Sequence, residues 1–589
     1  MIDYAKLESA IGLNWYAVDP NLRLQLERHV PAEDLAWAEE KVAAMGGLIG
    51  GPIARNAEAI DKGPAQLVRW DRNGEEVNQV IHPPASLDTK RRLWKAGFLG
   101  LPYTEEVQRR GRPVPAPLTV AYHYLLSQAD TGMLCGTGMT TGALQMIEEF
   151  GNEATKARFA PRLKALDYDE GLDGSMFLTE RVGGSDLSTV ETTARFDGAN
   201  WRINGFKWFC SNVDGRVAIV LARPEGGKPG IKGLAVFAVP RFLDGNRMNG
   251  LHIRRIKDKL GTRSVPTGEV DFVEAVGYLL AGAEGNALDG RGINRMMSFV
   301  TESRISVAAM GAGIARRAFL EAAIYAAQRE VFGRRLVDHG MAREMLMRLL
   351  VGSEGAAALL FKTGAQVLEG WKPLAGREPL LRLLVPLTKL RCARRGLNAA
   401  VDALEMYGGN GFIEDWPLAR QLRDAQAHTV WEGTENILAL DVLRAITKDR
   451  AHEAGLALVE QVLARATDPL LRRSREAVAK AAGEVREALG FIAQSDAELV
   501  RTRARRFATY FADLLEGTLL LDEARWELET HGSARKALVA DWFAREQLTP
   551  ERCRGICSRD ATLEELFLPV LRYERIAPAE AAGQLTGRA

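Results

Sequence analysis

Cysteine is scarce: the chain has five in 589 residues. Scattered as they are, they exclude a disulfide framework and fit a reducing cytoplasm. Cys553 and Cys557 stand four apart and would share a helix face. Without Cys or His neighbours they do not make a zinc site, and no metal is expected. Long apolar runs are also missing. No charge-free stretch reaches about 18 residues, so no membrane-crossing helix and no membrane partner are expected. Neither sign of charge dominates, with 77 basic residues against 76 acidic ones. Such a chain has no global field to draw in nucleic acid or an anionic surface. The opening M-I-D-Y-A-K-L-E lacks a basic-then-apolar signal, which leads us to expect a cytoplasmic protein. What the chain has is length, enough for several packed domains.

The most informative stretch runs from Tyr407 to Arg444. It opens with Gly408, Gly409 and Gly411, which allow left-handed backbone or close approach to a ligand. It closes with Trp431-Glu432-Gly433-Thr434, then an apolar helical pattern at Ile437, Leu438, Leu440, Val442 and Leu443. Thr434 is suited to cap that helix. Glu432 therefore sits on a turn beside a large ring. An apolar neighbour raises a carboxyl pKa toward neutrality, as a general base requires. The residues alone favour the plainer reading, a solvated Glu at a helix entry.

Residues 1–165 read as a helical domain, with Ala36–Met45 and Leu118–Phe150 as its clearest periodic stretches. Asn14–Leu26 and Arg69–Gly74 read as short capping segments, and His82-Pro83-Pro84 interrupts the helices. Residues 166–285 read as an antiparallel β domain. Turn signals recur there at Asp197-Gly198, Asn204-Gly205, Asp214-Gly215 and Gly226-Gly227, between runs such as Val217–Leu221 and Leu234–Val239. Residues 286–449 read as a four-helix bundle, where small residues at 308, 309, 311, 312, 313 and 315 permit close helix packing. Residues 450–589 read as a further helical domain with two arginine clusters, one at 472, 473 and 475 and one at 501, 503, 505 and 506. Acidic neighbours, among them Asp513, Glu516, Asp522, Glu523, Glu527 and Glu529, roughly cancel the second cluster, so DNA binding is possible but not favoured. The fold class is α+β, mainly α.

The Y-G-G-N-G-F, R-D and W-E-G-T phrases together resemble the C-terminal signature of the acyl-CoA dehydrogenase superfamily. Phe177–Asp186 is similar to that family's T-E-x-x-x-G-S-D strand and loop. Lys207–Asn212 is similar to its K-x-W-I-T-N, and Arg329–Gly333 to its R-x-x-F-G. The long N-terminal part resembles the adaptive-response, AidB-type branch. The resemblance implies that Glu432 removes the α-proton of an acyl thioester while the β-hydrogen leaves as hydride to FAD. It implies FAD contacts from Leu178, Thr179, Ser185, Phe209, Ser211, Arg329, Phe332, Glu405, Gly408, Gly409, Trp431, Thr434 and Asn436. It implies substrate contacts from Ser185, Arg304 and Gly433. Phe209 stands where the family has a flavin-stacking Trp, and Trp208 would point to the other side of the strand. The implied partners are an acyl-CoA, other copies of the chain in a homotetramer, and an electron-transfer flavoprotein.

Two departures bear on the substrate. Gly340 replaces a family Gln that meets FAD, and Thr301 replaces an Asp that holds the CoA carrier. In some branches the base stands immediately before the Arg matching Arg304. That position is Ser303 here, with Glu302 one step off, which favours Glu432. Two other classes stay open: a DNA-binding damage-response flavoprotein with little dehydrogenase activity, and a flavin mono-oxygenase or nitroalkane oxidase.

Overall fold

The computed structural model describes residues 1–281, 285–368, 379–550 and 559–586; Cys553 and Cys557 lie outside them. The N-terminal part is helical: α1 (Pro20–His29), α2 (Ala32–Leu48), α3 (Ala54–Lys62), α4 (Pro84–Lys95), α5 (Glu105–Arg110), α6 (Ala116–Ala129), α7 (Thr131–Phe150) and α8 (Glu153–Leu163). The long apolar stretch from 118 to 150 is two helices, because Asp130 leaves the helical region and its carboxylate caps α7 at Met133 N, 2.8 Å away. Residues 66–81 are not a capping segment. They form a hairpin of β1 (Gln66–Trp70) and β2 (Glu76–Ile81). Its turn closes on Asp71, whose carboxylate accepts from the N–H groups of Asn73 and Glu75, with Gly74 at φ +82°.

The middle part is one seven-stranded sheet: β3 (Gly174–Phe177), β4 (Thr193–Phe196), β5 (Trp201–Ser211), β6 (Val217–Pro224), β7 (Ala235–Pro240), β8 (Leu251–Ile256) and β9 (Thr267–Leu279). Most pairings are antiparallel, as expected, but Asn204-Gly205 lies within β5 and not at a turn, and β6 runs parallel to both β3 and β4. β5 carries a bulge between Lys207 and Cys210, which oppose Val270 and Gly268.

The chain then turns helical: α9 (Gly292–Gln328), a two-residue hairpin β10 (Glu330–Val331) and β11 (Arg334–Arg335), α10 (Gly340–Leu368), α11 (Pro379–Met406), α12 (Pro417–His428) and α13 (Glu435–Asp449). The small residues of α9 let it cross α11 at backbone contact. A Cβ on Gly311 would stand 2.2 Å from the Cys392 carbonyl oxygen, and one on Gly396 would stand 2.5 Å from that of Gly311. The last part adds α14 (Ala451–Arg465), α15 (Arg472–Gln494), α16 (Ala497–His531), α17 (Arg535–Phe543), α18 (Phe567–Leu571) and α19 (Pro578–Thr586). This part is not an appendage: one apolar core contains residues from Ile2 to Leu585.

Buried ion pairs tie α16 and α17 to the rest. Glu516 accepts from Arg395 at 2.9 Å, Asp522 from Arg28 at 2.8 Å, and Glu354 pairs with Lys536 at 2.8 Å. Of the acidic residues of α16, Asp513, Glu516, Asp522 and Glu523 thus pair with Arg391, Arg395, Arg28 and Lys536, while Glu529 stays exposed on Arg525. The expectation that the acidic run screens the 501–506 arginines is therefore corrected for Asp513, Glu516, Asp522 and Glu523, whose charges are taken up elsewhere. Those arginines stay near the surface, and one of them, Arg505, is paired with Glu435.

Candidate active site

The turn between α12 and α13 is built on unusual backbone. Glu432 has φ +55° and Gly433 φ +100°. Left-handed backbone costs a non-glycine residue about 1–2 kcal/mol, and such outliers persist only where surrounding contacts impose them. Those contacts come from three helices. Arg304 of α9 donates from Nε to the Glu432 carbonyl at 3.3 Å. The same arginine pairs through Nη1 with Asp441 of α13 at 2.7 Å, and Asp441 also receives Arg382 at 2.6 Å. Lys389 of α11 donates from Nζ to the Gly433 carbonyl at 2.6 Å. Thr434 caps α13, its hydroxyl accepting from Ile437 N at 3.4 Å.

Burial raises the Glu432 carboxyl above its ordinary range. Arg304, the Ser303 hydroxyl and Lys389 pull it back in part. A carboxyl so placed is neutral more readily than one in water and, once ionised, is a stronger base. Arg304 is buried and committed to Asp441 and the turn. Within the chain it holds the base's own turn, beside the place where a substrate contact is expected of it.

Behind the turn, the ring of Trp431 stacks on His428 at 5.8 Å and 19°. Trp431 Nε1 and both His428 ring nitrogens are buried without a hydrogen-bond partner. Burial, with Lys389 nearby, keeps His428 neutral, its pKa pushed down to about 3.

In the β domain, Glu180 and Lys207 brace the signature loop. Their ion pair is 2.7 Å, and Lys207 also donates to the Leu178 carbonyl at 3.2 Å. Glu180 takes the N–H groups of Glu191 and Thr192 at the far end of the loop. Thr179 receives Trp208 N on its carbonyl, and a Cβ on Gly184 would stand 2.6 Å from the Thr179 hydroxyl. Ser185 is exposed, and Ser211 shares a 3.0 Å hydrogen bond with Thr267. Phe209 is 53% exposed. The β5 bulge upsets the simple alternation expected for Trp208. Both rings meet the Lys257 ammonium, at 3.4 Å from Trp208 and 4.9 Å from Phe209.

A second group lies elsewhere. Arg329 caps α9 at the surface, and Phe332, at φ +48°, is 98% exposed. Glu405, Gly408 and Gly409 are exposed at the end of α11, joined to α9 by Tyr325 stacked on Tyr407 at 4.1 Å. Among the described residues, no hydrogen bond, ion pair or ring contact joins this group to Glu432 or to the β-domain loop. Asn436 is exposed on the first turn of α13. Thr301 is buried and bonded to the Met297 carbonyl, so it does not reach outward as the family Asp would.

Nothing in the sequence singles out His428, and Ser303 stands out there only as the residue before Arg304. The one signal for Lys389 was a lysine set among leucines, in Leu387-Thr388-Lys389-Leu390.

The sequence matches three family descriptions: "Adaptive response protein AidB N-terminal domain" over residues 7–170, "Acyl-CoA dehydrogenase, middle domain" over 175–275 and "Acyl-CoA dehydrogenase, C-terminal domain" over 290–447. It is 31% identical to the AidB protein of Escherichia coli over 478 residues, 77% of this chain and 83% of that one. The fold is similar to that of Caenorhabditis elegans ACDH-11, solved in complex with C11-CoA, with a TM-score of 0.84, 26% identity and 94% and 95% of the two chains covered. It also follows an acyl-CoA dehydrogenase from Bacillus anthracis solved with FAD, at TM-score 0.71 and 19% identity over 95% and 97% of the chains.

Proposed function

The chain belongs to the acyl-CoA dehydrogenase family, in its AidB-type branch, and from that premise we propose an FAD-dependent oxidoreductase in which Glu432 removes the α-proton of an acyl thioester. The observation that carries the proposal is the left-handed turn that presents a half-buried carboxyl whose pKa is raised by burial. A base of this kind contributes about 10²–10⁴-fold to rate. Arg304 and Thr434 keep the turn rigid, and Ser303 supports the ionised carboxylate.

The residues fit FAD. A niche at Thr179 and Gly184 that a Cβ would fill, the half-exposed Phe209 ring and the unpartnered Trp431 Nε1 supply edge, face and donor for a flavin. Leu178, Thr179, Ser185, Phe209, Ser211, Trp431, Thr434 and Asn436 would hold it within one chain. When bound, FAD supplies the hydride acceptor. Arg329, Phe332, Glu405, Gly408 and Gly409, which face outward, would serve a neighbouring copy in a homotetramer. Arg329 suits a pyrophosphate because its planar fork is permanently charged.

An acyl-CoA is the substrate class, with Gly433 and Ser185 beside it, and a C11 chain, as in the worm relative, is a natural first choice. Thr301 removes one carrier contact, so the acyl part bears more of the recognition. An electron-transfer flavoprotein would take the electrons onward. Anaerobic titration of the flavin with acyl-CoAs tests the proposal.

A further inference from the structure

Lys389 sits in the middle of α11 with its side chain fully buried. Burying an ammonium among leucines is costly unless something specific receives it. What receives it is the carbonyl of Gly433, 2.6 Å from Nζ. The preceding carbonyl, that of Glu432, receives Arg304. Two cations from two different helices therefore hold the two successive peptide planes that follow the Glu432 Cα. These two planes flank the Gly433 Cα, so fixing them holds Gly433 at φ +100° and the chain just beyond Glu432, itself at φ +55°.

The charged groups around this point can be named from each packed element. On α9, Arg304 and the Ser303 hydroxyl face Glu432. On α7, the Cys135 thiol is kept protonated, pushed up to about 12 by burial, with Glu432 adding to the shift. On α12, His428 is neutral. On α13, Glu435 is held by Arg394 at 2.6 Å and also acts on Lys389. Burial brings the Lys389 ammonium down to about 7, while Glu432 favours its charged form. Arg304 and Lys389 are thus the cations that act on the Glu432 carboxyl.

We propose that Lys389 is a positioning residue for Glu432: its hydrogen bond to the Gly433 carbonyl locks the left-handed turn that presents the carboxyl and sets a positive charge directly behind that turn. The inference rests on the reading of Glu432 as the base. Glu432→Gln removes the carboxyl and is the reference for the test.

The experiment is an infrared pH titration of the FAD-loaded protein. The Glu432 carboxyl band is identified by its loss in Glu432→Gln, and flavin absorbance reports folding and loading. In Lys389→Met the band's midpoint should move up, the direction expected when a neighbouring opposite charge is lost. The rate of flavin reduction should fall about tenfold or more. Lys389→Arg should return the midpoint toward the parent value. Lys389→Gln keeps a donor for the Gly433 carbonyl without the charge. It should shift the midpoint as Lys389→Met does while keeping more of the rate, and it gives the same readout if Lys389→Met fails to fold. A residue that merely packs would lower thermal stability and leave the midpoint in place. An unmoved midpoint in both Lys389→Met and Lys389→Gln would overturn the proposal. The titration needs no turnover, so it stays decisive if acyl-CoAs fail to reduce the flavin. That failure would count against the proposed reaction instead.

Discussion

The Lys207 ammonium lies 2.7 Å from the Glu180 carboxylate inside the β domain, and the two residues come from two separate signature phrases. Both are nearly or fully buried. Glu180 also accepts from Glu191 N, Thr192 N and the Thr192 hydroxyl, so one carboxylate gathers both ends of the loop that carries Thr179 and Ser185.

Removing one partner of this pair should therefore unfold the loop and weaken the domain. Lys207→Met leaves a buried carboxylate unpaired, at a cost of about 3–5 kcal/mol. A thermal melt should show a large drop in Tm, with FAD lost together with the fold. Burial alone would raise the Glu180 pKa, but the attraction of Lys207 and the loop hydrogen bonds hold it below its ordinary value. A carboxyl depressed in this way stabilises the fold above its unfolded pKa. That contribution fades as the pH falls through its folded value, so the parent should lose stability in acid. Equal melting of parent and Lys207→Met near neutral pH would contradict this account.

Glu432 behaves in the opposite sense. Its folded pKa is raised, so ionising it costs stability once the pH exceeds its unfolded value. Glu432→Gln removes that cost and should be at least as stable as the parent at neutral pH, with FAD retained. Melting curves of the two proteins side by side check this, and a marked loss of stability in the variant would mean that the carboxyl is structural.

Arg329 and Phe332 project from the end of α9 into open space. Arg329→Ala should weaken both FAD retention and association of copies, read by flavin absorbance and sedimentation. Monomers that hold FAD as firmly as the parent would dismiss the role given to Arg329 between subunits.

DNA binding should be weak. Arg505 is spent on Glu435, and Arg501 pairs with Glu498 at 3.5 Å, which leaves Arg503 and Arg506 as the freer part of the cluster. So few phosphate contacts give low affinity that falls with salt. A duplex titration at low and at roughly physiological salt, with parent and Arg503→Glu/Arg506→Glu, decides it. Tight binding by the parent that the double variant abolishes would reverse this expectation.

The turn around Glu432 was legible because its phrase is contiguous in the chain, as were the β signature phrases and the small residues of α9. The hairpin at 66–81 was not, because its Asp-Arg-Asn-Gly turn has the same composition as a helix cap. The two-against-one register at Trp208 and Phe209 was hidden for a related reason: a bulge depends on the opposite strand, β9. The inward pairing of Asp513, Glu516, Asp522 and Glu523 is not legible in the sequence because their partners, Arg391, Arg395, Arg28 and Lys536, lie on other helices, most of them far along the chain. Lys389 escaped because the carbonyl it serves is 44 residues away.

In the proposed reaction Glu432 starts an oxidation of an acyl thioester by bound FAD. The direct test is anaerobic mixing of the yellow protein with a series of saturated acyl-CoAs, beginning near C11, while flavin absorbance is followed. The parent should bleach with at least one chain length, and Glu432→Gln should bleach about 10²–10⁴-fold more slowly with its FAD still bound. A parent that holds FAD yet bleaches with none of them, or a Glu432→Gln that bleaches as fast as the parent, would contradict the account.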